Sequence, residues 1–151
     1  MRVYRIVQAR HAGDLSGMGA AQYPGRWNKK GTPVLYTGTT IEIALLEVVV
    51  NLPPMLHPSL ELVALNIPDD SIGALETKDL PQHWHRFPAP SVLADLGQHW
   101  VDEGRYLALQ VPSSVVPSAV NIVLNCRHSR FAEVKMESRK PFPLDPRLLK
   151  A

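Results

Sequence analysis

A carboxylate in the middle of an apolar, helix-length run has to be paid for by something, and residues 41 to 52, IEIALLEVVVNL, carry two of them. At about 100° per residue Glu42 and Glu47 lie about 140° apart, so they do not share one solvent stripe. Glu42 falls in the first helical turn, where a carboxylate satisfies free amides and meets the positive end of the helix dipole, and with Thr39 it spells a capping box. Glu47 has no such role. Ile43 and Val50 lie one turn away from it, with Ala44 and Asn51 softening that side, so it is expected to point from a largely buried helix toward something polar. A structural ion pair and a functional site both account for it at this level.

Its natural counter-charge is Arg26 in GRWN, expected on a strand of a hairpin just before the helix. A guanidinium fork suits a carboxylate or a phosphate, so the pair reads either as a bridge or as a grip on a phosphorylated, ring-bearing ligand. Tyr23 and Tyr36 flank this segment and offer stacking surfaces, or plain packing. The third element is VPSSVVP, where Ser113 follows a strand end between prolines. No Gly-x-Ser-x-Gly elbow surrounds it, which argues against a hydrolase nucleophile, and capping a turn is its alternative role.

Other chemistry is poorly supported. The glycine cluster GDLSGMG neither follows a clear strand nor opens a helix, so no dinucleotide or P-loop cradle is indicated. HWH at 83 to 85 has no cysteine or carboxylate at zinc-ligand spacing and reads as a surface loop, so no metal site is expected. Cys126 has only Arg127 and His128 as basic neighbours, a weak setting for a catalytic thiol.

The elements that must position these groups are short. VYRIV at 3 to 7 reads as a first strand, His11 to Tyr23 as a loop, and residues 25 to 37 as a hairpin. The first helix is expected over about 40 to 51, stopped by the proline pair at 53 and 54. Residues 60 to 68 alternate as a strand, and 91 to 104 form an amphipathic helix with Val92, Leu96, His99 and Trp100 on one side, closed by Gly104. A strand is expected over 105 to 112, strand or short helix over 118 to 125, and a last strand over 131 to 136. A tail follows, docked by Phe142 and Leu144. The 14 prolines, nearly twice the roughly 5% of average usage, exclude a helical bundle and leave an α+β class with mixed or antiparallel sheet.

At 151 residues the chain fits one domain spanning 1–151. Net charge of +2, with no basic run longer than NKK, is too little to argue for nucleic acid. A single cysteine excludes an internal disulfide, and no run of about 18 apolar residues or cleavable leader is visible, so a soluble cytoplasmic protein with no membrane contact is expected.

GRWN with Arg26, VLYTGTTIEIALLE ending at Glu47, and VPSSVVP followed by NIVLN together resemble the RES family, named for an arginine, a glutamate and a serine. The resemblance runs from YRI at 4 to 6 to DPRLL near the end. It implies a fold similar to ADP-ribosyltransferase toxins and the role of toxin in a type II toxin–antitoxin pair. It implies an Xre-type helix-turn-helix antitoxin as partner, with DNA contacted only through the antitoxin, and is compatible with a homodimer. The implied activity is depletion of NAD+ by cleavage of the nicotinamide–ribose bond, with NAD+ as substrate and no cofactor; protein ADP-ribosylation is the alternative. Arg26, Glu47 and Ser113 would correspond to the name residues, with Ser114 as the alternative serine, and Tyr23 and Tyr36 to aromatic positions around the NAD+ pocket. Pro24, where a second glycine is usual, and Cys126, where proline is common, depart from the pattern.

Overall fold

Among the described residues seven strands join into one sheet, most of them carrying β-branched or aromatic residues. In chain order the elements are β1 (Arg2–Gln8), α1 (Met18–Gln22), β2 (Val34–Gly38), α2 (Ile41–Asn51), β3 (Leu60–Asn66), β4 (Ile72–Ala74), α3 (Ser91–Glu103), β5 (Ala108–Pro112), β6 (Val120–Asn125) and β7 (Lys135–Phe142). The structure is a computed structural model and describes residues 1–53 and 58–149; Pro54, second of the proline pair, lies outside them. The sheet order is β4-β5-β6-β2-β1-β3-β7. β4 and β5 are parallel and every other neighbouring pair is antiparallel, giving a single α+β domain on a mixed sheet.

One junction in this sheet matters for function. β1 pairs with β3 along its whole length, from Arg2 opposite Asn66 to Gln8 opposite Leu60, yet it meets β2 only at Tyr4 opposite Gly38. Beyond that point β1 and β2 diverge, and the sheet opens.

Alternation along the strands sorts side chains onto two faces. Val3, Leu35, Leu65, Ile122 and Leu124 belong to a core on one face, closed by Ala12 and Val134. On the other face, α2 packs Ala44 against Ile6, Leu60 and Leu62, with Phe142 and Leu144 docked at the margin as expected. The same face carries a second cluster in which Trp27, Trp84, Leu93 and Trp100 cover Val34, Leu109, Val111 and Val123. Two separate clusters on one face leave a gap between them, over the opening of β1 and β2.

Several expectations are corrected by this packing. GRWN is not on a strand, and residues 25 to 37 are not a hairpin: β2 begins only at Val34. A buried side chain replaces the missing strand partner, since Asn28 Nδ2 donates to the carbonyls of Ala20 and Thr32 while its Oδ1 accepts from Gly25 N and Tyr36 OH. The segment from His11 to Tyr23 contains the short helix α1. The cap of α2 is Thr40, whose hydroxyl accepts from Ile43 N, whereas the Thr39 hydroxyl donates to Val120 O on β6. α2 is also less buried than its composition suggests, with only Ile43 and Ala44 fully covered and Val50 exposed. On α3 the inward stripe is Leu93, Leu96, Gly97 and Trp100, not Val92 and His99, which are exposed. Residues 118 to 125 resolve as strand β6, set between β5 and β2.

The last strand starts at 135, after a 3₁₀ turn over Phe131–Glu133, and continues through Pro141. Proline is tolerated there because β7 is an edge strand, so its missing donor can face away from the sheet. Gly97 is required by close approach: a Cβ at this position would meet the Trp27 carbonyl oxygen at 1.6 Å, so only glycine lets α3 close onto the loop that carries Arg26.

Candidate active site

The gap between the two clusters is a cleft of about 1110 Å³, slightly above the roughly 300–1,000 Å³ typical of small-molecule sites. Its walls are the inward side of α2, the loops around 23–27 and 85–89, and the diverging ends of β1 and β2. Glu47, Arg26, Tyr36 and Tyr23, four of the five residues singled out in the sequence, line it together with Ser114.

Glu47 is half-buried, and its Oε1 accepts from Ser113 Oγ at 2.7 Å and Asn121 Nδ2 at 2.9 Å. Two donors, one just past the end of β5 and one on β6, therefore fix the rotation of the carboxylate, while Oε2 is engaged by no hydrogen bond to the described residues. The polar partner that the helical geometry demands is thus a serine and an asparagine, not Arg26. Arg26 and Glu47 form no ion pair, which removes the structural-bridge reading.

Ser113 is completely buried and sits just past β5, where Pro112 ends the strand. Its Oγ also accepts from Val115 N and Val116 N, both at 3.1 Å, so it caps the following turn while orienting Glu47; the two roles weighed for it coexist. Ser114 lines the cleft, but its side chain makes no hydrogen bond to Glu47. Replacing Ser113 by alanine takes one donor from Glu47 and strands two amides, so a loss of about 1–3 kcal/mol is expected, against no measurable change for Ser114→Ala. Parallel thermal unfolding of the two variants reads this difference, and equal melting temperatures would refute the assignment.

Arg26 is held by the opposite wall. Its Nη1 donates to Trp84 O at 2.6 Å and Arg86 O at 2.9 Å, tying the arginine to the loop before α3. Burial lowers its pKa and the Glu47 charge pushes the other way, so the two groups sense each other across the cleft without touching. Most of the guanidinium's donors remain for a ligand.

Tyr36 forms part of the floor. Its hydroxyl accepts from Trp27 N at 3.0 Å and donates to Asn28 Oδ1 at 2.6 Å, and burial pushes its pKa well above the ordinary phenol range. The ring passes directly under Gly25, where a Cβ would lie 2.9 Å from it, which explains the glycine before Arg26. Tyr23, 77% exposed, stands at the mouth.

Two polar residues of the cleft were not singled out from sequence. Asn121, the second donor to Glu47, is an amide on a strand at the period that also carries Val123 inward, and that inward polar position is the signal that could have found it. Arg5 on β1 also lines the cleft; its Nη1 donates to Asp14 O at 3.1 Å, and burial lowers its pKa. A charged residue between Tyr4 and Ile6 in the run VYRIV was the corresponding sign.

Of the remaining candidates, His85 lines the cleft, whereas His83 and Cys126 do not. His83 and His85 are exposed, and among the described residues no three His, Cys, Asp or Glu side chains stand close enough to hold a metal ion. Burial pushes the Cys126 thiol up to about 12, which keeps it protonated and unreactive near neutral pH. Among the described residues no helix is long and apolar enough to cross a membrane.

An α+β domain whose sheet opens beneath one oriented carboxylate, with an arginine and aromatic rings around it, is an enzyme-type small-molecule site. Comparison with known proteins agrees with that class and narrows it. The RES domain family matches residues 2–145, and the chain belongs to that family. It is 38% identical to "Toxin Res" of Yersinia enterocolitica, over 98% of this chain and 99% of that protein. It is 31% identical to "Prs ADP-ribosylating toxin" of a Sphingobium strain, over 99% of this chain and 95% of that one. In fold it is similar to a chain of the Mycobacterium tuberculosis MbcT–MbcA toxin–antitoxin complex, with a TM-score of 0.80, 20% identity, and coverage of 94% of this chain and 84% of the other.

Proposed function

We propose that this protein is the toxin of a type II toxin–antitoxin pair and acts by cleaving the nicotinamide–ribose bond of NAD+ in the cytoplasm. The observation that carries the reading is Glu47, one oxygen held by Ser113 and Asn121 and the other free in a cleft shared with Arg26. As the C–N bond breaks, nicotinamide leaves with the bonding pair as a neutral molecule, and the ribose becomes oxocarbenium-like. Such a leaving group needs no proton, so a single carboxylate that stabilises the cation is sufficient, in contrast to the acid–base pair of ordinary glycosidases. Arg26 takes the pyrophosphate, Tyr36 and Tyr23 offer faces to the rings, and Ser113 and Asn121 position Glu47. The names of the relatives support a toxin, and the antitoxin of the structural neighbour supports a protein partner, here proposed to be of the Xre type.

The acceptor at C1′ is water or phosphate in this reading. A second reading, protein ADP-ribosylation, is favoured by one observation, the name of the Sphingobium relative. Incubating the purified protein with adenine-labelled NAD+, alone, with phosphate and with cell lysate, separates them. Label is expected in free ADP-ribose or its 1-phosphate, together with released nicotinamide. Label transferred to protein would select the second reading, and intact NAD+ in all three arms would reject both.

A further inference from the structure

Phe87 has no packing role that accounts for it. Its side chain is 91% exposed, more than any other large hydrophobic residue described, and it stands on the wall of the cleft. The backbone leading to it is clamped, because Arg26 Nη1 grips the carbonyls of Trp84 and Arg86 and the Trp84 side chain is buried in the core beneath. An apolar ring is thus held in water beside the cationic group of the site. The proposed substrate has a fixed order of parts: reactive ribose, pyrophosphate, then adenosine. With the reactive ribose at Glu47 and the pyrophosphate at Arg26, the adenosine must continue along the wall past Arg26, and Phe87 is the aromatic face which that same arginine positions there.

We propose that Phe87 is the platform on which the adenine base stacks, so that it determines preference for the dinucleotide over a mononucleotide that lacks adenosine. A base presents a π-face to any aromatic ring, and such stacking is lost on truncation to alanine. This inference rests on the NAD+ reading above.

Its test is calorimetric titration of the wild type, Phe87→Ala and Phe87→Trp with ADP-ribose and, separately, with nicotinamide mononucleotide. Phe87→Ala is expected to bind ADP-ribose roughly 5- to 50-fold more weakly, to bind the mononucleotide unchanged, and to be rescued by Phe87→Trp. The melting temperature should not move, since the ring covers no core. Wild-type affinity of Phe87→Ala for ADP-ribose, or equal weakening for both ligands, overturns the proposal while leaving NAD+ as substrate. A wild type that binds neither ligand overturns the NAD+ reading and this assignment with it.

Discussion

Glutamine at position 47 is expected to leave the protein folded and to slow nicotinamide release from NAD+ by about 10²–10³-fold or more, the range found when one preorganised electrostatic contact to a transition state is removed. The substitution is nearly isosteric. A glutamine oxygen can still accept from Ser113 Oγ and Asn121 Nδ2, the two bonds that orient Glu47, so the side chain keeps its place and only the negative charge is lost. Charge is what an oxocarbenium-like ribose requires, whereas shape is what the fold requires, and this variant separates them. Nicotinamide release by the purified protein, and NAD+ content of cells after induction, both read the effect, with unchanged melting temperature as control. A Glu47→Gln protein that consumes NAD+ at the wild-type rate would remove Glu47 from the chemistry.

Arg26→Ala should differ in kind, because Arg26 serves both ligand and fold. Removing it leaves the carbonyls of Trp84 and Arg86 without their shared donor, so the loop that bears Phe87 loses its clamp. For two partly exposed charge-assisted bonds a stability loss of about 2 kcal/mol is expected, or about 4–8 °C in melting temperature for a chain of this size. Catalysis should fall by about 10²-fold in kcat/KM, with KM for NAD+ rising as the pyrophosphate loses its fork. Arg26→Lys keeps the charge but cannot bridge two carbonyls and grip a diphosphate together, so it should recover part of the stability and little of the KM. If Arg26→Ala kept both KM and melting temperature, Arg26 would be neither the anion site nor the clamp.

Much of the site was legible from local rules. Helical spacing alone separated Glu47 from Glu42, and the strand-end position of Ser113 between prolines marked a rigid hydroxyl. The pairing of Glu47 with Arg26 was the natural guess from a hairpin expected just before the helix, and it fails because both side chains find closer partners in elements remote along the chain. Ser113 and Asn121 are 66 and 74 residues from Glu47, and Trp84 is 58 from Arg26. No periodicity reports such contacts, since they depend on which strands become neighbours. The hairpin expected over 25 to 37 fails for a related reason. Its backbone is satisfied by a buried Asn28 side chain, and propensity rules count only backbone partners.

By itself the sequence determined the α+β class, the helix that carries Glu47 and the identity of most groups in the cleft. These follow from composition, helical period and proline placement, which act over a few residues. The tertiary structure alone decided that β1 and β2 part after Tyr4 and Gly38, that the cleft lies over that opening, and that Glu47 is aimed by Ser113 and Asn121 rather than neutralised by Arg26. Those outcomes depend on strand order and on which distant side chain reaches a buried polar atom first. Only the packed chain supplies that information, because a half-buried carboxylate takes whichever donors the fold delivers to it.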